Sequence, residues 1–129
     1  MTSHSLPVQK AIRDKLVAHS PLGAAVYDHV PQDAAFPYIQ IGDDTAIDDG
    51  GKDFEGQEIT CTIHTWSRYP GKKECKTIQG EIYTALHDAT LTISSGVVVQ
   101  IRCEFEQSFT DPDGETRHGV QRFRAIAHD

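Results

Sequence analysis

Three cysteines, one tryptophan and one methionine in 129 residues leave several chemistries short of material. Cys61, Cys75 and Cys103 are an odd set and cannot all pair with one another, and no CxxC or Cys/His ligand spacing joins them. Cys61 and His64 are three apart and on a strand would face opposite ways. The expectation is reduced thiols buried as small hydrophobes. No apolar run approaches the ~18 residues of a membrane-spanning helix. The N-terminus, MTSHSLPVQKAIRDK, lacks the apolar centre of a signal peptide. A protein made and kept, or assembled, in the cytosol is expected, with no membrane partner.

Catalytic motifs are missing as well. His4, His19, His29, His64, His87, His118 and His128 are scattered, with no HExxH or HxH. There is no GxSxG elbow and no Cys with a paired His signature. GGKD lacks the spacing of a phosphate loop, and DPDGE lacks the further ligands of a calcium loop. Neither a catalytic residue, a metal nor a cofactor is expected. The carboxylates of DDTAIDDGGKD could gather a divalent cation weakly, but a solvated loop is the simpler reading.

Positive charge is scarce in one stretch only. The chain carries −7 overall, and Asp28–Glu58 holds nine acids against one base, Lys52. The remainder has ten acids and eleven bases. A protein gripping nucleic acid through its phosphates would show the opposite bias. The acidic stretch is therefore a solvated loop, a face for a basic partner, or a surface that repels DNA passing nearby.

What is present reads as an α+β domain spanning residues 1–129. Leu6–Val17 is predicted as a helix, with Ser5 as cap, Pro7 in the first turn and Val8, Ile12 and Leu16 as its apolar stripe. Pro31 and Pro37 fix an irregular connection, DHVPQDAAFPYI, and Pro37 launches a strand, Tyr38–Gly42, with Ile39 and Ile41 inward. Asp43–Gly56 reads as a long polar loop. The next strand, Gln57–Ser67, puts Ile59, Cys61, Ile63 and Thr65 on one face, and Thr60, Thr62, His64 and Trp66 on the other. After Pro70 and Gly71 comes the best helix, with Cys75, Ile78, Ile82, Ala85 and Leu86 in a stripe. Gly80 interrupts it, through close packing or simple tolerance.

Val97–Thr110 alternates, with Val97, Val99, Ile101, Cys103, Phe105 and Phe109 on odd positions. DPDG, Asp111–Gly114, then turns the chain as a three-residue loop pairing Asp111 with Glu115. That register sets Cys103 opposite Phe123, Ile101 opposite Ala125, Glu104 opposite Arg122, and Arg102 unfavourably opposite Arg124. A strand of this length outruns an ordinary sheet. Its tip either projects as an arm or stays with the body through a bulge. The expected architecture is a mostly antiparallel four-stranded sheet with two helices packed on one face and a long C-terminal β-hairpin.

Trp66 and Arg68 are candidates for a partner surface, because Trp and Arg are enriched at interface centres. Trp66 folding over the core rim is the alternative.

Three blocks, VYDHVPQDAAFPYIQIGDD, GQEITCTIHTWSRYPGKKECKTIQGEIYTALHD and DPDGETRHGVQRFRAI, resemble in that order the tail-completion proteins of long-tailed phages, prophages and gene transfer agents. They cover most of Val26–Ile126. The resemblance implies a structural protein: a tail terminator at the neck of the particle. Such a protein closes the tail tube with a hexameric ring of its own copies, ends tube polymerisation and docks the head connector. Its expected partners are itself, the tail tube protein and a connector or stopper protein, with DNA only as passing cargo. On this reading Asp43, Asp44, Asp48, Asp49, Lys52 and Asp53 form one contact region and Asp111 and Asp113 another, with Trp66 and Arg68 as further candidates. The alternatives are a head–tail joining protein of the same neck and, more remotely, a small metal-binding or enzymatic domain using His64, His118 and the acidic loop.

Overall fold

The computed structural model describes residues 3–129. Helix α1, Ser5–Ala18, buries Val8, Ala11, Ile12 and Leu16. Its cap is His4 and not Ser5. The Ser5 hydroxyl donates instead to Asp44 Oδ2 at 3.3 Å. A 3-10 turn, Ser20–Leu22, leads into β1, Ala25–Tyr27. Then follow β2, Tyr38–Asp48, and β3, Gly56–Ser67. Helix α2, Lys73–Leu86, precedes β4, Thr92–Ile93, β5, Gly96–Thr110, and β6, Arg117–His128.

The sheet has six strands in the order β1-β2-β3-β6-β5-β4. The expectation of four is corrected by the two short edge strands. β1 pairs in parallel with Tyr38–Gln40 of β2, and β4 pairs with Gly96 and Val97 of β5. Elements of two or three residues carry no periodicity, so neither announces itself in the sequence. The sheet is mixed because β1 is parallel; its other pairings are antiparallel.

A second correction concerns Asp43–Gly56. β2 does not stop at Gly42 but runs to Asp48, and Asp44–Asp48 pair with Cys61–Gln57. A register shift between Ile41 and Asp44 separates the buried half of the strand from this exposed acidic half. The partner strand β3 alternates regularly from Ile59 to Ser67. Only residues 49–55 form the connection, closed by Asp49 N–H donating to Gly56 O at 2.9 Å and Gly51 N–H to Phe54 O at 2.9 Å.

Both helices cover one sheet face, where Ile39, Ile41, Ile59, Cys61, Ile63, Ile101, Phe123, Ala125 and Ala127 meet Val8, Ile12, Leu16, Ile78, Ile82 and Leu86. α2 also crosses β6 closely. A Cβ on Gly119 would lie 2.5 Å from Gln79 Nε2 and 2.9 Å from Cys75 Sγ. Gly80 is different: nothing lies within 4 Å of the Cβ it lacks, so it answers to no packing demand.

The C-terminal hairpin is present, with its register altered at both ends. In the centre Ile101, Arg102 and Cys103 face Ala125, Arg124 and Phe123 as expected. Towards the tip Phe105 faces Arg122 and Thr110 faces Arg117, so the loop is longer than three residues and Asp111 pairs with Thr116. A bulge between Cys103 and Phe105 absorbs the difference, and a second lies between Val98 and Gln100. The bulges break the odd-position rule: Val98 is buried, while Val97, Val99 and Phe105 are exposed. Arg102 and Arg124 still face each other, and each has acidic neighbours of its own. Arg102 reaches Asp88 at 3.1 Å, and Glu104 accepts from Arg122 Nε at 2.9 Å and lies 3.5 Å from Arg124 Nε.

Candidate functional site

The face of the sheet opposite the helices carries a row of side chains brought together by register. Tyr38 pairs with Trp66, Trp66 with His118 and His118 with Phe109, one residue from each of four neighbouring strands. The His118 ring stacks on Trp66, with centroids 3.7 Å apart and 13° between planes. One row down, His64 Nδ1 meets His118 Nε2 at 2.7 Å. Such a bond needs one nitrogen protonated and the other bare, so the pair cannot be doubly charged and keep it. Burial lowers both pKa values. The neighbouring His64 lowers that of His118 further, whereas Asp43 and Asp111 act in the opposite sense on His64 and His118 respectively.

Trp66 is therefore half-buried in an aromatic and imidazole cluster. Its Nε1 is buried with no hydrogen-bond partner among the described residues. Arg68 lies 4.3 Å from the centroid of the Phe36 ring, and its Nε donates to Thr116 Oγ1 at 3.2 Å. These contacts join the DHVPQDAAFPYI stretch to the tip of the C-terminal hairpin. The tip is tied to the body and is not a free arm. Within it, Asp113 accepts from the N–H groups of Glu115 and Thr116, each at 2.8 Å, and from the Thr116 hydroxyl at 2.7 Å. These donors hold its carboxyl down at about 2. Gly114 closes the turn at φ 74°, a left-handed angle that glycine takes without strain. Asp111 stands 3.9 Å from His118 Nδ1.

The acidic candidates form a separate group. Asp43, Asp44 and Asp48 lie on the exposed half of β2, and Asp49, Lys52 and Asp53 on the connection to β3. Among the described residues, Asp43, Asp48, Asp49, Asp53 and Glu55 have no ion pair within the chain. Exposed Ile47 and Phe54 stand among them. So the structure gathers Trp66, Arg68, Asp111 and Asp113 at one end of β3 and Asp48, Asp49, Lys52 and Asp53 at the other, while Asp43 and Asp44 lie beside its middle. Twelve strand residues put the two ends roughly 36 Å apart.

Several residues escape sequence reasoning. His4 is fully buried, with Nδ1 2.5 Å from Ser95 Oγ and Nε2 2.6 Å from Asp129 Oδ1. Gln121 is buried too and donates to Gln79 O and to Glu106 Oε1. Their partners are distant along the chain. The His64–His118 pair was half visible, since His64 shares a strand face with Trp66. The β3–β6 pairing that brings in His118 has no local signal. Among the described residues no group of three or more His, Cys, Asp or Glu could hold a metal ion. All three thiols are free; Cys61 and Cys75 are buried, and Cys103 is half-exposed. Burial pushes the Cys61 thiol up to about 12.

The features the structure offers are an aromatic row, a tethered hairpin tip and an acidic hairpin. Residues 10–128 match the family model described as tail completion protein gp17. The chain belongs to this family. It is a family of structural phage-tail proteins, so the chain acts by assembly and is not an enzyme. The tail completion protein gp17 of Bacillus phage SPP1 is 28% identical over 123 residues, spanning 93% of this chain and 91% of that protein. In solved structures, a chain in the virion of a native gene transfer agent particle superposes with a TM-score of 0.86. It is 23% identical, with 95% of this chain and 96% of the other covered, a likeness of fold.

Proposed function

We propose that this tail completion protein is a tail terminator. It closes the finished tube as a ring of identical copies, hexameric by the family resemblance, ends polymerisation and offers the head connector a docking surface. The observation that carries the reading is the family match over residues 10–128 in a chain whose candidate surfaces lie at opposite ends of one sheet. A subunit that must contact neighbours, tube and connector needs separate surfaces of that kind.

In this reading Asp43, Asp44, Asp48, Asp49, Lys52 and Asp53 contact a neighbouring subunit or the tube. Trp66, Arg68, Asp111 and Asp113 form a second contact across the ring. Negative charge in the ring channel keeps DNA from adhering as it passes. The fold likeness to a chain of a gene transfer agent particle supports a place in a phage-like virion.

Electron microscopy of particles from a producer lacking the gene tests the proposal. Tails of uncontrolled length beside separate full heads are expected. Tails of normal length that fail to join heads would replace the terminator by a head–tail joining protein. Complete, joined particles would refute both.

A further inference from the structure

Phe54 is unusual among the exposed apolar residues. It is 49% exposed, sits in the tight connection between β2 and β3, and is flanked in sequence by Asp53 and Glu55. Its ring rests against His128, with centroids 4.8 Å apart, and Gly51 N–H holds its carbonyl at 2.9 Å. The ring is therefore presented at a defined place. Around it the carboxylates of Asp48, Asp49, Asp53 and Glu55 have no ion pair among the described residues.

The far end of the molecule carries the complement. Pro37, Tyr69, Thr77 and Ile78 line a pocket of about 270 Å³. Ile78 is buried, while Tyr69 is 53% exposed. Lys73 also lines the pocket, and Lys72 adjoins it at the start of α2. Both lysines are exposed and without an ion pair among the described residues. Glu74 is the one acid of the lining, and its Oε1 accepts from Ser67 Oγ at 2.7 Å. An aromatic knob framed by carboxylates and a pocket with apolar lining rimmed by lysines are complementary in chemistry and in charge. They cannot meet within one copy, because the length of β3 separates them.

We propose that Phe54 of one copy seats in the Pro37–Tyr69–Ile78 pocket of a second copy, with Asp53 and Glu55 against Lys72 and Lys73. The contact is heterologous: each copy offers one knob and one pocket, so association repeats until the rotation closes a ring. The proposal rests on the ring reading above and names the surface that builds it.

The test uses particles carrying the full chain. Asp53→Cys with Thr77→Cys leaves Phe54 and the lysines in place. Mild oxidation is expected to give a ladder of covalent oligomers on a denaturing gel. Each single variant, and the control pair Asp53→Cys with Lys10→Cys, should give none. Native mass spectrometry of necks released from the same particles counts the copies. A closed ring without the ladder overturns the knob and pocket while leaving the ring standing. A single copy per neck overturns the ring and the proposal with it. Charge exchange provides an independent arm. Asp53→Lys and Lys73→Glu should each lower the yield of joined particles about tenfold or more, and their combination should recover it. Failure of the combination to recover, with both singles folded, would also count against the contact.

Discussion

At the residue scale, the His64–His118 pair and Asp113 respond to pH in the same sense but in different ranges. The two histidines have pKa values below the ordinary value of 6.5, chiefly because burial penalises the imidazolium. The unfolded chain therefore takes up protons first. Their contribution to stability is complete above about 6.5 and is lost as pH falls through the lowered values. Urea midpoints should decline as pH drops below 6.5. In a His64→Gln, His118→Gln variant that part of the decline should flatten; an unchanged slope would detach the pair from it. Asp113 acts lower. Its carboxyl sits at about 2, so its contribution is present above the ordinary carboxylate range and disappears as pH falls towards 2. Asp113→Ala should lower the melting temperature at neutral pH and make little difference near pH 2. Carbon-detected NMR titration of Asp113 gives the pKa directly.

At the scale of elements, the C-terminal hairpin shows how a register can be correct in one place and displaced in another. Turn chemistry at DPDG and alternation along β5 both pointed to Cys103 facing Phe123, and it does. The tip is nevertheless one residue longer, because Asp113 gathers the Glu115 and Thr116 amides, and the Glu104 bulge restores the register below it. A bulge has no sequence signature of its own, so the exposure of Val97, Val99 and Phe105 could not be read. The two glycines of the α2 contact make opposite predictions. Gly80→Ala should stabilise the protein by about 1 kcal/mol, since helix propensity improves and no atom obstructs the new methyl. Gly119→Ala should destabilise it by about 1–3 kcal/mol, because its Cβ meets the Gln79 side chain and Cys75 Sγ. Urea melts of both variants separate the two cases. Ile82→Ala, at a fully buried site in the core of the same helix, should cost about 2–5 kcal/mol in the same assay.

On the scale of the whole molecule, the negative charge is concentrated in one stretch, Asp28–Glu58, rather than spread evenly. β2 extended to Asp48 turns a presumed loop into one arm of a β-hairpin, which presents its carboxylates from a paired scaffold at one end of the sheet. Asp48→Lys with Asp49→Lys leaves the core untouched and should reduce the fraction of joined particles seen by electron microscopy. Normal assembly of that variant would remove the acidic hairpin from the list of contacts. The aromatic row at the opposite end carries a separate expectation. Trp66→Ala should loosen the hairpin tip, which amide hydrogen exchange at Thr110–Arg117 would register as faster exchange.

The sequence by itself determined the α+β class, both helices with their buried stripes, the faces of β3, the C-terminal hairpin and the lack of catalytic motifs. These follow from local periodicity and turn chemistry, which act over a few residues. The family resemblance rested on blocks spread along most of the chain, and the family match supports it. Only the tertiary structure decided the six-stranded order, the reach of β2, the bulges of β5, the burial of His4 and the meeting of His64 with His118. Each of these depends on partners far apart in sequence, brought together by sheet pairing and burial. Local preference is silent about such contacts because their free energy comes from burial and pairing that exist only once the chain is folded.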